Sequence, residues 1–199
     1  MSVSRPIAFW IGLALTIAVV SGCASMGGSS TPYENFTNVY LQENIHYEAR
    51  VDRGGKTTNS ASYANYTDPG AGHKIAPVNT LVTVGRWRGG FTITRQDTGE
   101  VIYFEFRSSN MGMGDEEYLK LITAPTKANL SRLSATDMKG IKEGQALRGM
   151  SKEGVRIALG YPARHRTPTL EDNVWTYWRT RWVMRTVTFD DKGKVVAVQ

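Results

Sequence analysis

Three short strand-like runs, separated by glycine-containing turns, constrain the fold of this chain most strongly. Leu81–Val84 is rich in β-branched residues, and apolar and polar residues alternate in Phe91–Thr94 and Val101–Phe106. Alternation with a period of two places successive side chains on opposite faces of a β-strand. Strands that recur about every 8–12 residues, with turns between them, are typical of small barrels and meanders. The pattern predicts a β-rich domain over residues 33–113, folded as a small SH3-like antiparallel β barrel or meander.

The residues after this region carry helix signals. A short helix is predicted over 115–122, because its acidic residues stand in the first turn, where they complement the helix dipole. Ser134 or Thr136 is placed to cap a second helix. A further helix is predicted between Ser151, a suitable N-cap, and Gly160, a suitable terminator.

The last residues of the chain carry strand signals. The runs 174–178, 183–189 and 194–198 are rich in β-branched and aromatic residues, and Asp190–Gly193 is a hairpin-turn sequence. Together with the preceding helix, this stretch resembles the SmpA/OmlA (BamE-like) family of small outer-membrane lipoproteins over residues 135–199. The matching residues are Gly149, Met150, Ser151, Lys152, Val155, Leu159, Gly160, Pro162, Trp175, Tyr177, Phe189, Gly193 and Val195.

The resemblance implies two helices packed on a three-stranded antiparallel sheet. The predicted fold class is therefore α+β, with the barrel or meander followed by a helical linker and an ααβββ two-layer BamE-like domain over 114–199. The resemblance also implies a periplasm-facing accessory in outer-membrane protein assembly, which contacts a partner protein and anionic lipid. The chain departs from the family in the roughly 110 residues that precede the domain and in its basic stretch 161–168.

The first 32 residues have the layout of an export signal. Arg5 precedes an apolar run, Ile7–Val20, which is too short for a permanent membrane-spanning helix. Val20-Ser-Gly-Cys23 resembles a bacterial lipobox, which implies a signal peptide over 1–22, lipid attachment at Cys23 and a flexible tether over 23–32. Since Ala24 follows the cysteine, the resemblance implies an outer-membrane location. The alternative is an ordinary signal peptide with an incidental cysteine.

The sequence contains no arrangement of residues that points to catalysis. Cys23 is the only cysteine, so a folded domain beyond it has neither a disulfide nor a zinc–thiolate site. The three histidines lack the spacing of metal ligands, and the consecutive acids 115–117 cannot converge from one helix face. The nucleophile-elbow and phosphate-loop motifs are also missing. The sequence predicts a protein that is not an enzyme and that has no cofactor and no metal.

The positive charge lies in the last third of the chain. Residues 24–135 carry 11 basic and 11 acidic residues, whereas residues 136–199 carry 12 basic and 7 acidic residues. This asymmetry indicates an anionic partner, and an exported protein would rarely meet nucleic acid. If 178–185 were strand, Arg179, Arg181 and Arg185 would share one face, and Trp178 and Trp182 would share the other. The candidate binding residues are Arg164, Arg166, Trp178, Arg179, Arg181, Trp182 and Arg185.

Two main functions agree with these features. The alternative to both is that the basic residues only form a solvated polar face. One is a lipid-anchored, non-catalytic scaffold or accessory in outer-membrane protein assembly or envelope integrity. The other is a binding module for peptidoglycan or anionic lipid, in which the β-rich region recognises the ligand. A binder that resembles secreted enzyme inhibitors is a third alternative, because such binders share the two-helix, three-strand unit.

Overall fold

The computed structural model describes Met1, residues 33–68 and residues 70–199. The predicted signal peptide, Cys23 and the tether lie outside the described residues, apart from Met1. A short 3₁₀ turn, Glu34–Phe36, precedes the first strand. The strands are β1 (Val39–Leu41), β2 (Ile45–Val51), β3 (Thr57–Ser62), β4 (His73–Ala76), β5 (Leu81–Trp87), β6 (Gly90–Arg95), β7 (Val101–Glu105), β8 (Thr123–Ala124), β9 (Val174–Trp178), β10 (Met184–Phe189) and β11 (Val195–Val198). The helices are α1 (Ser108–Met111), α2 (Asp115–Ile122), α3 (Ala135–Glu143) and α4 (Lys152–Leu159).

Two sheets are formed by the described strands. The larger has eight strands in the order β4-β2-β3-β7-β6-β5-β1-β8, and the smaller has three in the order β11-β10-β9. Most neighbours are antiparallel, but β3 and β7 pair in parallel. The large sheet curls into a half-barrel and stays open, with β4 and β8 at its two edges.

The predicted fold class, a small barrel or meander followed by an ααβββ domain, is wrong. The chain is mostly sheet: an eight-stranded curled half-barrel with a three-stranded sheet beside it. The predicted meander, β5-β6-β7, is only the middle of the large sheet. The polar strand β3 extends it on one side, and β1 and β8 extend it on the other. Residues 115–124 fall within the predicted C-terminal region 114–199, but they pack against the large sheet: α2 contributes to its core and β8 pairs with β1.

The predicted local elements agree better with the structure. The helix expected over 115–122 is α2, and the three strand-like runs lie in β5, β6 and β7. Ser134 caps α3, where its hydroxyl accepts a hydrogen bond from the amide of Asp137. Ser151 caps α4 in the same way, by accepting from the amide of Gly154.

Each sheet covers one hydrophobic core. The larger core lies inside the half-barrel, where α2 contributes Tyr118, Leu119 and Ile122. The smaller core lies between α4 and the inner face of the small sheet, which contributes Trp175 and Tyr177. The cores adjoin, because the buried Ala163 belongs to the larger cluster although it follows α4 in the chain.

A seam of buried polar residues joins the two sheets. The amide N–H of Asn44 donates to the carbonyl of Ile157 at 2.8 Å, and its side chain donates to the carbonyls of Ile141 and Ala158. The carbonyl of Trp178 accepts from the amide N–H of Thr67 at 2.8 Å. Buried polar groups need such partners, so the seam fixes the position of one sheet relative to the other.

Candidate binding groove

The face of the large sheet that points away from its core carries an open groove of about 460 Å³. Because side chains alternate along a strand, the buried Ile102 and Phe104 of β7 face the core and their neighbours Tyr103 and Glu105 face the groove. We call this feature the aromatic groove. Its aromatic residues are Tyr63, Tyr66, Trp87 and Tyr103, and its charged residues are Glu48, Arg50, Glu105, Arg107 and Arg181.

Strand register brings the groove residues together. Ser60 of β3 is paired with Glu48 of β2 on one side and with Tyr103 of β7 on the other. Residues paired across a sheet lie side by side on the same face, so these three form a row. A second row, two residues farther along β7, runs from Glu105 through β6 to Trp87.

Trp87 and Tyr103 form the aromatic floor of the groove. Their rings meet edge to face, with centroids 5.5 Å apart, in a geometry favoured by the ring quadrupoles. The indole of Trp87 also lies over Gly89, since a Cβ atom there would stand only 2.6 Å from its Cη2 atom. Trp87 is 40% exposed, so a large flat surface is held in place and is open to solvent.

Four of the five charged residues of the groove form ion pairs between residues that are two apart in the chain. The carboxylate of Glu48 lies 2.7 Å from the guanidinium of Arg50, and that of Glu105 lies 2.9 Å from the guanidinium of Arg107. These arginines are well exposed, and exposed pairs contribute little, about 0–1 kcal/mol each. A polar ligand can therefore replace them at small cost.

Arg181 reaches the groove from the small sheet. It lies in the turn between β9 and β10 and makes no ion pair with the residues that the structure describes. Its charge acts on Tyr66, another residue of the groove. Burial raises the pKa of Tyr66, and the positive charge of Arg181 acts in the opposite direction. The guanidinium of Arg181 lies 5.5 Å from the ring centroid of Trp182. The groove therefore presents hydroxyls, carboxylates and, at Arg181, a cation without a carboxylate partner among the described residues, around an aromatic floor.

The predicted row of arginines on one strand face is not formed. β9 ends at Trp178 and β10 begins at Met184, so Arg179 and Arg181 lie in the turn between them. Arg179 instead binds Asp68, with 2.7 Å between guanidinium and carboxylate. We call residues 179–184 the hairpin tip.

The other predicted binding residues are spread over the surface. Trp182 projects from the hairpin tip and is 85% exposed, whereas Trp178 is half-buried and stacks on His165. Arg185 is half-buried in a separate polar cleft beside His73, where burial lowers its pKa. The exposed Arg164 and Arg166 lie in the loop after α4.

The sequence does not identify the aromatic residues of the groove as a site, because Tyr63 and Tyr66 lie in a stretch typical of a loop and Trp87 lies outside the predicted strand Leu81–Val84. The alternation in β7 did mark Tyr103 as the residue facing away from Ile102 and Phe104. Tyr63 and Tyr66 lie after β3, a strand whose polar sequence gave no signal. Only the pairing of β3 with β7 brings these tyrosines to Tyr103.

No family model matches the chain, and neither the curated proteins nor the solved structures include a detectable relative. Within the described ranges, no helix has the length and apolar character needed to cross a bilayer. The same part of the chain holds no group of three or more His, Cys, Asp or Glu side chains placed for a metal ion.

Proposed function

We propose that this protein is a non-catalytic binding protein of the bacterial cell envelope, and that the aromatic groove holds a glycan strand of peptidoglycan. The observation that carries the proposal is the fixed, half-exposed floor of Trp87 and Tyr103. A sugar ring has an apolar face of C–H groups and an edge of hydroxyls. The aromatic floor can stack on the apolar face of the sugar, and the surrounding charged side chains can form hydrogen bonds with the hydroxyls at its edge.

The charges around the floor favour a glycan that itself carries carboxylates. Arg50, Arg107 and Arg181 outnumber the two glutamates, and a guanidinium binds a carboxylate with two parallel hydrogen bonds. Peptidoglycan carries carboxylates on its stem peptides, and on lactyl groups from which the peptide has been removed, whereas neutral storage glucans carry none. The groove is also open along the sheet face, as a site for a long polymer must be.

The envelope location rests on the N-terminal sequence, which lies outside the described residues. In this proposal, lipid on Cys23 anchors the protein in the outer membrane, facing the periplasm. A tether of about ten small residues then lets the domain move a few nanometres from the bilayer. Mass spectrometry of the native protein should show a diacylglyceryl group on Cys23, and an unmodified thiol would contradict the anchor.

The groove is tested by co-sedimentation with purified peptidoglycan. Trp87→Ala removes the centre of the floor and should weaken binding about tenfold or more, since a stacked aromatic contributes about 1–3 kcal/mol. Tyr40→Ala is the matched control, because Tyr40 is a half-buried aromatic residue of the same sheet outside the groove. Equal binding by the two variants would refute the proposal.

A second candidate function is the accessory role in outer-membrane protein assembly, and the hairpin tip favours it. Trp182, Val183 and Met184 are consecutive apolar residues that are 85%, 47% and 52% exposed. Exposed apolar residues beside arginines are typical of contact sites for protein partners. A photo-crosslinker at Trp182 in intact cells should capture an assembly protein, and a strain lacking the protein should have less porin in its outer membrane. Normal porin levels and no captured assembly protein would exclude this role.

A further inference from the structure

A second cavity, of about 390 Å³, adjoins the larger core, to which its lining residues Met111 and Tyr118 belong. Its walls come from the end of α1 and the residues that follow it, from α2, and from the loop 161–170 that follows α4. These segments meet only in the folded chain, so the sequence does not reveal the cavity. We call it the methionine cavity, after Met111 and Met113.

The walls of the methionine cavity are predominantly apolar. Tyr118 and Leu121, three residues apart on one face of α2, form one wall, and Leu170 lies opposite in the loop. Met113 is only partly buried, and methionine side chains adapt to ligands of varied shape. Leu121 is 37% exposed, so the cavity opens to solvent at an apolar edge.

The ring of Tyr118 gives the cavity a rigid base. It packs against Phe104, Phe106 and Tyr161, with ring centroids 5.1 to 6.4 Å away. Its hydroxyl is buried and has no hydrogen-bond partner among the described residues. Burial raises the pKa of Tyr118 well above its ordinary value, and nearby Glu43 raises it further.

One positive charge stands at the rim of the cavity. The side chain of Arg164 lies against Gly112, where a Cβ atom would be 3.3 Å from its Cδ atom, and Gly112 adopts a φ of +64°. The loop is held there because the amide N–H of His165 donates to the carbonyl of Asn110 at 3.1 Å. None of the described residues that line the cavity is acidic, and Arg164 makes no ion pair with a described residue.

We propose that the methionine cavity binds an apolar monocarboxylate, such as a medium-chain fatty acid, with its chain between α2 and the loop 161–170 and its carboxylate at Arg164. Burial of the chain against Met113, Leu121 and Leu170 supplies the affinity, at roughly 25 cal/mol for each Å² of apolar surface removed from water. The guanidinium of Arg164 supplies the selectivity, because it forms charged hydrogen bonds with a carboxylate and cannot form them with a neutral or cationic head group.

Three probes with the same chain and different head groups test this site by isothermal titration calorimetry. They are dodecanoate and dodecyltrimethylammonium, each used below the concentration at which it forms micelles, and dodecanol, used below its limit of solubility. Dodecanoate should bind most tightly and the cation least tightly. Equal binding of all three, or no detectable binding of dodecanoate, would overturn the proposal.

Two substitutions distinguish the contribution of the Arg164 charge from that of the apolar wall of the cavity. Arg164→Gln should weaken dodecanoate binding about tenfold, as expected for one charged hydrogen-bonding partner, and should leave dodecanol unaffected. Arg166→Gln is its control, because Arg166 is an exposed arginine of the same loop that does not line the cavity. Leu121→Gln should weaken dodecanoate and dodecanol alike, whereas Val174→Gln, at another exposed apolar residue, should weaken neither.

The site does not depend on the proposed role of the aromatic groove. Trp87→Ala should therefore leave dodecanoate binding unchanged. Equal losses in the Arg164→Gln and Arg166→Gln variants, or loss of dodecanoate binding in Trp87→Ala, would show that the methionine cavity is not the site.

Discussion

The position of the Trp87 indole depends on a single residue without a side chain. Gly89 lies directly beneath the indole, and a Cβ atom there would stand 2.6 and 2.7 Å from two of its ring carbons. The ring must move if a methyl group is added, because real Cβ contacts are never that short. The backbone would be little affected, so this residue offers a way to displace the floor of the groove without removing an aromatic side chain.

Gly89→Ala should weaken peptidoglycan binding severalfold, while the free energy of unfolding changes by less than about 1 kcal/mol, as is usual for surface residues. Co-sedimentation and urea unfolding measure the two quantities. Gly114→Ala is the control, since nothing lies within 4 Å of a Cβ atom at that residue. Unchanged binding in Gly89→Ala would show that the indole does not contact the ligand.

At the scale of the elements, α3 and α4 are tied together at their N-termini by one carboxylate. Asp137 accepts hydrogen bonds from the amide and hydroxyl of Ser134, the cap of α3. It also accepts from the amide and hydroxyl of Ser151, the cap of α4, at 2.7 and 3.0 Å. Burial alone would raise the pKa of Asp137, but these hydrogen bonds outweigh burial and lower it.

Asp137→Asn should destabilise the protein by about 1–3 kcal/mol at neutral pH, because the amide cannot accept all four hydrogen bonds. A carboxyl whose pKa is lower in the folded than in the unfolded state stabilises the fold above its unfolded pKa, and loses that effect as the pH falls through its folded pKa. The difference between wild type and variant should therefore shrink in strong acid. Urea unfolding at several pH values measures it, and a difference that stays constant with pH would contradict this account.

The sequence allowed the prediction of those elements whose own residues carry the pattern. The β-branched residues of β5, the alternation in β6 and β7, the acidic start of α2 and the Ser151 cap of α4 are local features, and the predictions made from them are confirmed. The cap of α3 was open between Ser134 and Thr136, and it is Ser134. β3 could not be predicted, since its polar sequence, TTNSAS, is stabilised by its two neighbouring strands. The aromatic groove depends on that pairing, so it could not be predicted either.

At the scale of the whole molecule, ionisable residues are buried where the two sheets meet. Burial raises the pKa of Glu43 to about 8, although Arg156, 3.6 Å away, acts in the opposite direction. Burial lowers the pKa of His46 to about 4, and its Nε2 atom lies 2.8 Å from the carbonyl of Ala158. Burial also lowers the pKa of His73, which stacks on His46.

These shifts predict an asymmetric dependence of stability on pH. Between pH 4.5 and 8, Glu43 is protonated in the folded state only, so it makes stability fall by about 1.4 kcal/mol per pH unit. Between pH 4 and 6.5, His46 is protonated in the unfolded state only, so it makes stability rise by a similar amount. The two effects cancel between pH 4.5 and 6.5, where the lowered pKa of His73 adds a further rise, and above pH 6.5 the effect of Glu43 remains alone.

Glu43→Gln should remove the loss of stability between pH 6.5 and 8 and reveal the rise below pH 6.5. Urea unfolding across this range measures both slopes. A matched control is Glu117→Gln, at an exposed glutamate of α2, which should leave the wild-type profile unchanged. A wild-type profile that rises between pH 6.5 and 8 would contradict the buried, protonated state of Glu43.

The central claim is that a carboxylate-bearing glycan lies on the floor of the aromatic groove. Nuclear magnetic resonance tests it most directly, by titrating the labelled protein with soluble glycan fragments of peptidoglycan and following the indole N–H resonances. We predict a saturable shift of the Trp87 resonance, accompanied by shifts of backbone amides around Tyr103 and Glu105, while the resonance of the buried Trp175 stays in place. An unchanged Trp87 resonance at concentrations where the fragments bind would contradict the claim.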